Sequence, residues 1–400
     1  MNNRSLACFA ILFLTFLASA LSAGAQTAPL SPGTVSGVAL YNGNGVCPSE
    51  FFSASPANPA VCYSATMTCA NQTTTPNLNF IYSYDKPASP LGTVVFFPDG
   101  PGELGSVKMD NQFAADYYND GYEIVQIAWT TTTGWEQTSD TLGIMTAACR
   151  PAGFMNYVLH TSLLNARIGN SSAGLCAQGS SAGSGALGYT LAWYGDTNGS
   201  YLSTDLDNVE LVSGPVFGDV QMGCEVAVGG QHPVVPICYP GQQFGCSIGT
   251  TGWGSPSEYI DGYAVAVRNW TNDQTCAGTS TTSGTSNRQW KAMSIVTGTG
   301  GNFTYPSLGL AGWLCATSTP NSCTDACPNN SASEGEQFYN QIGSSSQAAG
   351  YKVTGILGCM GAENVVDGQD PDNCPGPNCQ SGRQAFESHM TQQCKHPTPP

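Results

Sequence analysis

Charged side chains are scarce in this sequence, at 10% of 400 residues, and the basic ones are the scarcest. Lys and Arg number 11 against 27 Asp and Glu, which gives a formal net charge of −16. A protein that binds a phosphate backbone needs clustered cationic side chains, so nucleic acid is not an expected partner. The surface must instead be built from Ser, Thr, Asn, Gln and Gly, which suits a protein working outside the cell.

Long apolar runs are also absent, except at the N-terminus. Arg4 precedes an uncharged apolar stretch from Leu6 to Leu21, and Ala23-Gly-Ala25 is a small-residue cleavage site. This pattern predicts a signal peptide over residues 1–25. We therefore expect a secreted or periplasmic protein with no membrane association after cleavage.

Cysteine, by contrast, is abundant. There are 17 cysteines, and Cys8 lies in the predicted signal, which leaves an even 16. An even number at this density in an exported chain indicates disulfides, although the sequence does not give their pairing. The pairs Cys323/Cys327 and Cys374/Cys379 could be drawn as zinc ligands, but export favours disulfides there as well. We expect no metal and no other cofactor.

Strand-like and helix-like segments alternate along most of the chain. Buried strands separated by helices indicate an α/β fold with a mostly parallel sheet covered on both faces, and an antiparallel start gives the sheet a mixed edge. The predicted strands are Cys62–Cys69, Leu78–Tyr84, Thr93–Phe97, Tyr122–Trp129, Leu175–Gln178, Val209–Val212, Ala292–Val296 and Val353–Leu357. The predicted helices are Asn111–Tyr118, one containing Phe154 and Val158, Ala182–Tyr194 and Ser381–Cys394.

The chain divides into one large domain with short flanking parts. Residues 26–61 are predicted to be an irregular lead-in, 62–394 the domain, and 395–400 a flexible tail. Within the domain, residues 220–288 carry four cysteines and break the alternation. This insertion is interpreted either as a disulfide-pinned cap over the carboxyl ends of the strands, where ligands of α/β folds bind, or as a decorated surface loop.

The strongest functional pattern is Gly179-Ser-Ser181-Ala-Gly183, which fits G-x-S-x-G between a short apolar strand and a helix of small residues. Such a turn is so tight that only glycine fits two residues to either side, and it presents the serine hydroxyl above the sheet. The helix start behind it offers backbone N–H groups to an anion. Ser181 is the predicted nucleophile, and the N–H of Ala182 is a predicted oxyanion donor.

A second pattern follows the strand that ends at Phe97. Pro98-Asp-Gly100-Pro-Gly102 is a glycine-rich turn whose backbone N–H, near Gly100, could complete the oxyanion hole.

Together these patterns resemble the α/β-hydrolase fold over roughly residues 62–394. The Pro98–Gly102 turn is similar to the H-G-G-P-G oxyanion turn of prolyl-aminopeptidase-like members, with Pro98 and Asp99 in place of His and Gly. The resemblance implies acyl transfer from a small-molecule ester or acyl substrate. It also implies that an acid and then a histidine follow the serine along the chain.

The acid and the histidine depart from that pattern. The loop after the predicted seventh strand reaches Gly301 without a carboxylate, and Asn364 stands where the histidine is expected. Asp219, after the sixth strand, is the candidate acid, with a turn or helix-cap role as the alternative. Glu363, beside Asn364, could act as a weak base if burial raised its pKa.

The sequence has four histidines, and His389 on the closing helix is the candidate base. Its alternative role is structural, near a helix C-terminus. His232 lies in the insertion and is a weaker candidate, and His396 lies in the tail. His160 precedes the nucleophile elbow, which is the turn Gly179–Gly183, and is interpreted as structural.

Two classes of function follow. The first is a secreted serine hydrolase, most simply a carboxylic ester hydrolase acting through an acyl-enzyme on Ser181, with a serine peptidase as a weaker variant. The second is a catalytically inactive hydrolase-fold binding protein, for which Asn364 is the argument. The sequence does not determine the oligomeric state.

Overall fold

The computed structural model describes residues 30–70, 72, 76–100, 102–136, 146–161, 172–180, 182–195, 202–212, 308–316, 352–357 and 382–396. Its centre is a nine-stranded sheet with the order β1-β2-β3-β5-β4-β6-β7-β8-β9. The strands are β1 Thr34–Leu40, β2 Val61–Thr68, β3 Asn77–Asp85, β4 Gly92–Phe97, β5 Glu123–Trp129, β6 Gly174–Ser180, β7 Asn208–Val212, β8 Gly309–Ala316 and β9 Lys352–Leu357.

Helices connect the strands of the parallel part. They are α1 Asn111–Asn119, α2 Cys149–His160, α3 Ala182–Tyr194, the short α4 Leu202–Asp205 and the closing helix α5 Gly382–Gln393. In the described part of the chain, 3-10 turns cover Tyr41–Gly43, Leu104–Asp110 and Gly134–Glu136.

The sheet is parallel from β4 and β5 through β9 and antiparallel at its other edge, where β1, β2, β3 and β5 pair in succession. Every residue of β4, β5, β6 and β7 is buried. Strands buried on both faces are mostly apolar, which is why these segments lack the regular polar alternation of a half-exposed strand, and the few polar side chains in them are buried. The predicted fold class, a mostly parallel sheet with a mixed edge and helices on both faces, is confirmed.

The two faces of the sheet are covered by different helices. On one face α2 and α3 pack over an aromatic cluster that includes Phe80, Tyr82 and Phe154. On the other face α1 and α5 meet through Phe113 and Phe386, whose ring centroids are 5.6 Å apart. All of α3 is buried, which fits a helix that is apolar around its whole circumference.

Three disulfides are present in the described residues. Cys47–Cys62 closes the lead-in onto β2, Cys69–Cys149 ties the end of β2 to α2, and Cys176–Cys394 ties β6 to the residue after α5. The third joins residues 218 positions apart, and a cross-link over so long a loop restricts the unfolded chain strongly. The prediction that cysteines form disulfides is confirmed for these six residues.

Three segments differ from their sequence interpretation. Thr34–Leu40, inside the predicted irregular lead-in, is an edge strand; it carries almost no buried side chain, so no apolar alternation marks it. At the other end of the chain, the first residues of the predicted flexible tail are held, because Lys395 pairs with Ala173 and the N–H of His396 donates to the carbonyl of Ser172.

The third difference concerns the seventh predicted strand. β8, Gly309–Ala316, pairs in parallel with both β7 and β9, so it fills the place assigned to Ala292–Val296. Ala292–Val296 and the insertion 220–288 lie outside the described residues. Within the described part of the chain, no helix is long and apolar enough to cross a membrane.

Candidate active site

The predicted nucleophile turn lies at the carboxyl end of the central strand β6. This strand ends at Ser180 and α3 begins at Ala182, so both sides of the turn are in place. Ser181 itself lies outside the described residues. The strand-to-helix context that the G-x-S-x-G pattern requires is therefore present.

Two glycines flank the turn, and neither has room for a side chain. A Cβ on Gly183 would overlap the carbonyl oxygen of Phe97 and lie within 2.7 Å of that of Pro98. A Cβ on Gly179 would overlap the carbonyl of Gly183. All of these neighbours are backbone atoms, which cannot rotate away as a side chain would. Glycine is required at both positions by this close approach.

The start of α3 supplies the first predicted oxyanion donor. Ala182 is the first helical residue and is 6% exposed. The opening N–H groups of a helix lack partners within the helix, and they carry the positive end of its dipole. Because Gly183 abuts the end of β4, this helix start lies beside the turn that contains Gly100.

The second predicted donor is engaged by a carboxylate. Gly100 has φ +58°, a conformation that favours glycine, and its N–H donates to Oδ1 of Asp99. The carbonyl of Gly102 accepts from the N–H of Trp129 at 2.8 Å, which holds the turn against the end of β5. A negative charge on Asp99 at this position would oppose a developing oxyanion. This is the consequence of having aspartate where the resembling turn has glycine.

Another carboxyl group reaches the turn from the side of α1. Oδ1 of Asp110 accepts a 2.6 Å hydrogen bond from the hydroxyl of Ser180. Ser180 is fully buried and Asp110 is 1% exposed. Burial raises the pKa of Asp110 to about 7, the hydrogen bond from Ser180 opposes the rise, and the charge of Asp99 adds to it. Asp110 was not singled out from the sequence, because an aspartate before a helix reads as an ordinary N-cap.

A buried polar network lies on the same face of the sheet as Ser180, further from the carboxyl ends of the strands. Oε1 of Glu210, on β7, is 3.0 Å from Nδ1 of His389, on α5. Oε2 of Glu210 accepts from the hydroxyl of Tyr117 at 2.9 Å, and the Tyr117 hydroxyl oxygen is also 2.6 Å from Oε1 of Gln178. Burial raises the pKa of Glu210, and its hydrogen bond with His389 opposes the rise.

The network sets the height of His389 relative to the elbow. Glu210 pairs with Gln178 in the sheet, and Gln178 precedes Ser180 by two residues. Two strand residues span about 7 Å, so the contact of His389 lies about that far below Ser180 along the strand. The Nδ1 atom of the candidate base is thus bound to Glu210, a residue that the sequence did not single out. Whether His389 takes a proton from Ser181 stays a prediction.

The remaining histidines are placed as follows. Nδ1 of His396 is 2.9 Å from Oδ1 of Asp207, and Nδ1 of His160 is 2.8 Å from the carbonyl of Asn156. His232 lies outside the described residues.

The acid position changes with the strand assignment. Because β8 ends at Ala316, the loop that should carry the acid begins at Thr317 instead of Thr297, and the absence of a carboxylate before Gly301 loses its meaning. The first carboxylate after β8 is Asp325. Asp219, Asp325, Glu363 and Asn364 all lie outside the described residues.

Two depressions in the described surface lie away from the elbow. One of about 640 Å³ is at the opposite edge of the sheet, between Tyr122 and the closing helix, and includes Asp120 and Lys395. Another of about 560 Å³ is formed by the lead-in around Val46 and Phe52. Among the described residues, no three His, Cys, Asp or Glu side chains are grouped so that they could hold a metal.

Comparison with known proteins gives similarity of structure only. No family model matches the sequence. No curated protein matches it either. Among solved structures, an esterase from Pyrobaculum calidifontis has a TM-score of 0.47 at 11% identity, with 82% of this chain and 85% of that chain covered. A thermostable carboxylesterase from a metagenomic library has a TM-score of 0.44 at 12% identity, covering 83% and 89%. A bacterial heroin esterase has 0.45 at 9%, covering 84% of both.

The strand order decides the fold. If β1 is set aside, eight strands remain; the second of them runs antiparallel to its neighbours, the third and fourth exchange places in the sheet, and the elbow follows the fifth. The chain has the α/β-hydrolase fold. Ligands of open α/β sheets bind at the carboxyl edge of the parallel strands, and the end of β6, the start of α3 and the Gly100 turn lie at this edge.

Proposed function

We propose that this protein is a secreted serine hydrolase, most simply a carboxylic ester hydrolase that forms an acyl-enzyme on Ser181. The observation that carries the proposal is the pair of glycines, Gly179 and Gly183, each with backbone atoms where a side chain would be. A turn closed this tightly between a central strand and a buried helix is a costly local structure. It is explained by the need to present the residue between the two elements to a substrate.

The proposed reaction is acyl transfer through Ser181. The Ser181 hydroxyl oxygen bonds to the carbonyl carbon of the ester, and its proton passes to a base. The carbonyl oxygen, now negative, accepts from the N–H of Ala182. Removing one such donor typically slows acyl transfer by about a hundred- to a thousandfold. The bond between the carbonyl carbon and the alkoxy oxygen then breaks, and the alcohol leaves with the proton from the base. Water next attacks the acyl-enzyme, which releases the carboxylic acid and returns a proton to the Ser181 oxygen.

An ester is favoured over an amide because of the leaving group. An amine must be protonated before it departs, which requires a strong general acid at the site, whereas an alcohol is less demanding. Asn364 stands where this fold usually places its histidine, so the sequence assigns no such acid directly. A small-molecule ester is therefore the proposed substrate, and the peptidase variant is the weaker one.

The proposed acid comes from chain position. Asp325 follows the strand after which this fold usually places its acid, and Asp219 follows the preceding strand. Comparing Asp325→Asn with Asp219→Asn separates the two, because only loss of the working acid lowers the acylation rate.

We also propose export, with the signal over residues 1–25. The three disulfides support an oxidising compartment. Sequencing the N-terminus of the protein recovered from the medium or periplasm tests this, and a start near Gln26 is expected.

One observation favours the second candidate, a binding protein without turnover. The Gly100 N–H donates to Asp99, so a carboxylate holds a predicted oxyanion donor. If this contact only slows a working enzyme, Asp99→Asn should raise the acylation rate, since the charge is removed. If Asp99→Asn remains unreactive under conditions that preserve its fold, the binding function gains support.

The decisive experiment is labelling of the oxidised protein with a fluorophosphonate, which requires an activated serine. We expect stoichiometric modification, located at Ser181 by mass spectrometry and abolished by Ser181→Ala. Ser49→Ala is the matched control, because Ser49 is exposed and its hydroxyl donates to Glu50. Absence of labelling in folded protein across a range of pH would overturn the hydrolase proposal.

A second experiment tests whether the elbow depends on its glycine at position 183. Gly183→Ala should abolish labelling, because its Cβ meets the backbone of Phe97 and Pro98. Gly105→Ala is the control, since a Cβ there meets no atom within 4 Å. Equal labelling of the two variants would show that the turn does not depend on the glycine.

A further inference from the structure

Asp110 sits where two short elements meet. The 3-10 turn Leu104–Asp110 runs into α1, and Asp110 is the residue before that helix. Its carboxylate makes no hydrogen bond to the start of α1, which is the usual role of aspartate at this position. It instead crosses to β6 and accepts from the hydroxyl of Ser180 at 2.6 Å. The side chain therefore bonds to a residue 70 positions away in the sequence and not to the helix that follows it.

This arrangement is costly for folding. Asp110 is 1% exposed, and its Oδ2 has no hydrogen-bond partner among the described residues. A buried carboxyl group without full compensation destabilises a protein, so its presence calls for a role beyond stability. The partner of Asp110 is Ser180, the residue immediately before Ser181, so we look for this role at the elbow.

We propose that Asp110 is a positioning residue for the reaction at Ser181, acting through the hydroxyl of Ser180. The inference rests on the proposed hydrolase function. Ser180 is the last residue of β6, so a hydrogen bond that fixes its side chain also fixes the backbone entering the elbow. Misplacement of a nucleophile by about 1 Å can lower a rate a hundredfold.

The strength of this bond depends on pH. A hydrogen bond to a carboxylate is about twice as strong as one between neutral groups, so the ionised form of Asp110 holds Ser180 more firmly. The pKa of Asp110 is raised to about 7. Acylation of Ser181 should therefore become faster as pH rises through this value.

Among the described residues, few other charged groups lie near Asp110 that could produce this pH dependence. Asp99, on the turn after β4, is the charged group that acts on Asp110, and its charge raises the pKa. Lys108, on the same 3-10 turn, is exposed. Where α1 and β5 meet this turn, the contacting polar side chains are the neutral Asn111 and Gln126.

Two substitutions of nearly equal size separate the roles of Asp110. Asp110→Asn keeps an oxygen that accepts from Ser180 but does not titrate, whereas Asp110→Leu accepts nothing. The measurement is the rate constant for fluorophosphonate labelling from about pH 5 to 9, with near-ultraviolet circular dichroism to verify folding. We expect Asp110→Asn to retain most of the rate near pH 8 and to lose the inflection near pH 7. Asp110→Leu should be slower by about tenfold or more at every pH.

Ser180→Ala tests whether the effect passes through the hydroxyl. It should slow labelling, and in this background Asp110→Asn should change neither the rate nor its pH dependence, because coupled residues are not additive. If Asp110→Leu does not fold, the Asp110→Asn and Ser180→Ala pair still tests the proposal. Unchanged inflection in Asp110→Asn, or full additivity with Ser180→Ala, would overturn it while leaving the hydrolase function standing. No labelling of wild type at any pH would overturn both.

Discussion

Two buried carboxyl groups on one face of the sheet, Glu210 and Asp110, show how differently a fold can treat the same chemistry. Both lie against β6 or its neighbour, both are almost completely buried, and burial raises the pKa of both. Glu210 has three polar partners, His389, Tyr117 and Asn208. Asp110 has one, Ser180, and an oxygen with no partner among the described residues.

The difference separates a structural carboxylate from a functional one. The network of Glu210 joins β7 to both helices on its face, so its desolvation is offset by contacts that assemble the fold. Asp110 contributes one contact at the entrance to the elbow and leaves part of its burial uncompensated. Stability explains Glu210, whereas Asp110 requires a function.

The largest expected effect is the loss of stability when Glu210 is removed. Glu210→Ala removes a carboxylate from between His389 and Tyr117. The buried polar atoms of these two side chains then lose their hydrogen bonds to Glu210. A buried polar group that loses its hydrogen-bond partner costs about 1–3 kcal/mol, and three groups bonded to Glu210 lose theirs, which corresponds to about 3–5 kcal/mol in total. We expect a loss of that size in the free energy of unfolding, measured by urea denaturation of the oxidised protein. A loss under about 1 kcal/mol would contradict the structural role.

The next effect is opposite in sign and depends on pH. The pKa of Asp110 rises from its ordinary 3.8 to about 7 on folding, so the folded state favours the neutral acid. Wild type bears no penalty from this group below about pH 4, loses stability as pH rises from there to about 7, and keeps the full penalty above it. Three pKa units correspond to at most about 4 kcal/mol.

Asp110→Asn does not titrate, so its stability relative to wild type should increase between about pH 4 and pH 8. Thermal unfolding of the two proteins across this range is the measurement. Asn111→Ala serves as the control for a nearby neutral change, and its offset from wild type should not vary with pH. A constant offset for Asp110→Asn would show that Asp110 is ionised throughout.

Substitution of His389 separates a structural role of its contact with Glu210 from a catalytic one. If its Nδ1 contact with Glu210 is purely structural, His389→Ala should lower the free energy of unfolding by about 2–4 kcal/mol and leave the labelling of Ser181 within a few-fold of wild type. We expect this result, because the contact lies at the height of Gln178. A folded His389→Ala protein whose labelling falls a hundredfold or more would instead make His389 the base and Glu210 its acid.

The sequence was informative where structure is local. α3 begins and ends as predicted, Ala182–Tyr194, because the elbow glycine and the small, apolar composition mark it directly. The glycines of the turn were correctly interpreted for the same reason. β8 was missed because Gly309–Ala316 is rich in Gly and Ala, which have low strand propensity, while Ala292–Val296 has the β-branched residues expected of a strand. Pairing with β7 and β9 outweighs this propensity.

The polar partners were beyond the reach of sequence reasoning. The contact between Ser180 and Asp110 spans 70 residues, and that between Glu210 and His389 spans 179. Asp110 resembles a helix cap, and Glu210 resembles a polar interruption of a buried strand. The register of β6 with β7 and the path of α5 across them bring Glu210 to His389, whereas the position of the 3-10 turn Leu104–Asp110 against the end of β6 brings Asp110 to Ser180.

The smallest effect tests how far the Glu210 network is shared. The Tyr117 hydroxyl has one proton and lies within hydrogen-bonding distance of both Gln178 and Glu210. Tyr117→Phe removes this connection but keeps the ring, which packs against Phe96 with centroids 5.8 Å apart. A single buried hydrogen bond contributes about 0.5–1.5 kcal/mol, and we expect a loss in that range on urea denaturation.

The informative comparison is Tyr117→Phe in the Glu210→Ala background. If the hydroxyl stabilises the fold chiefly through Glu210, the two substitutions together should cost less than the sum of their separate effects, since they remove the same contact. Strict additivity would mean that Tyr117 acts through Gln178 alone. The polar network would then divide between β6 and β7, and Glu210 would depend on His389 and Asn208, which makes it a less compensated carboxylate and brings it closer to Asp110.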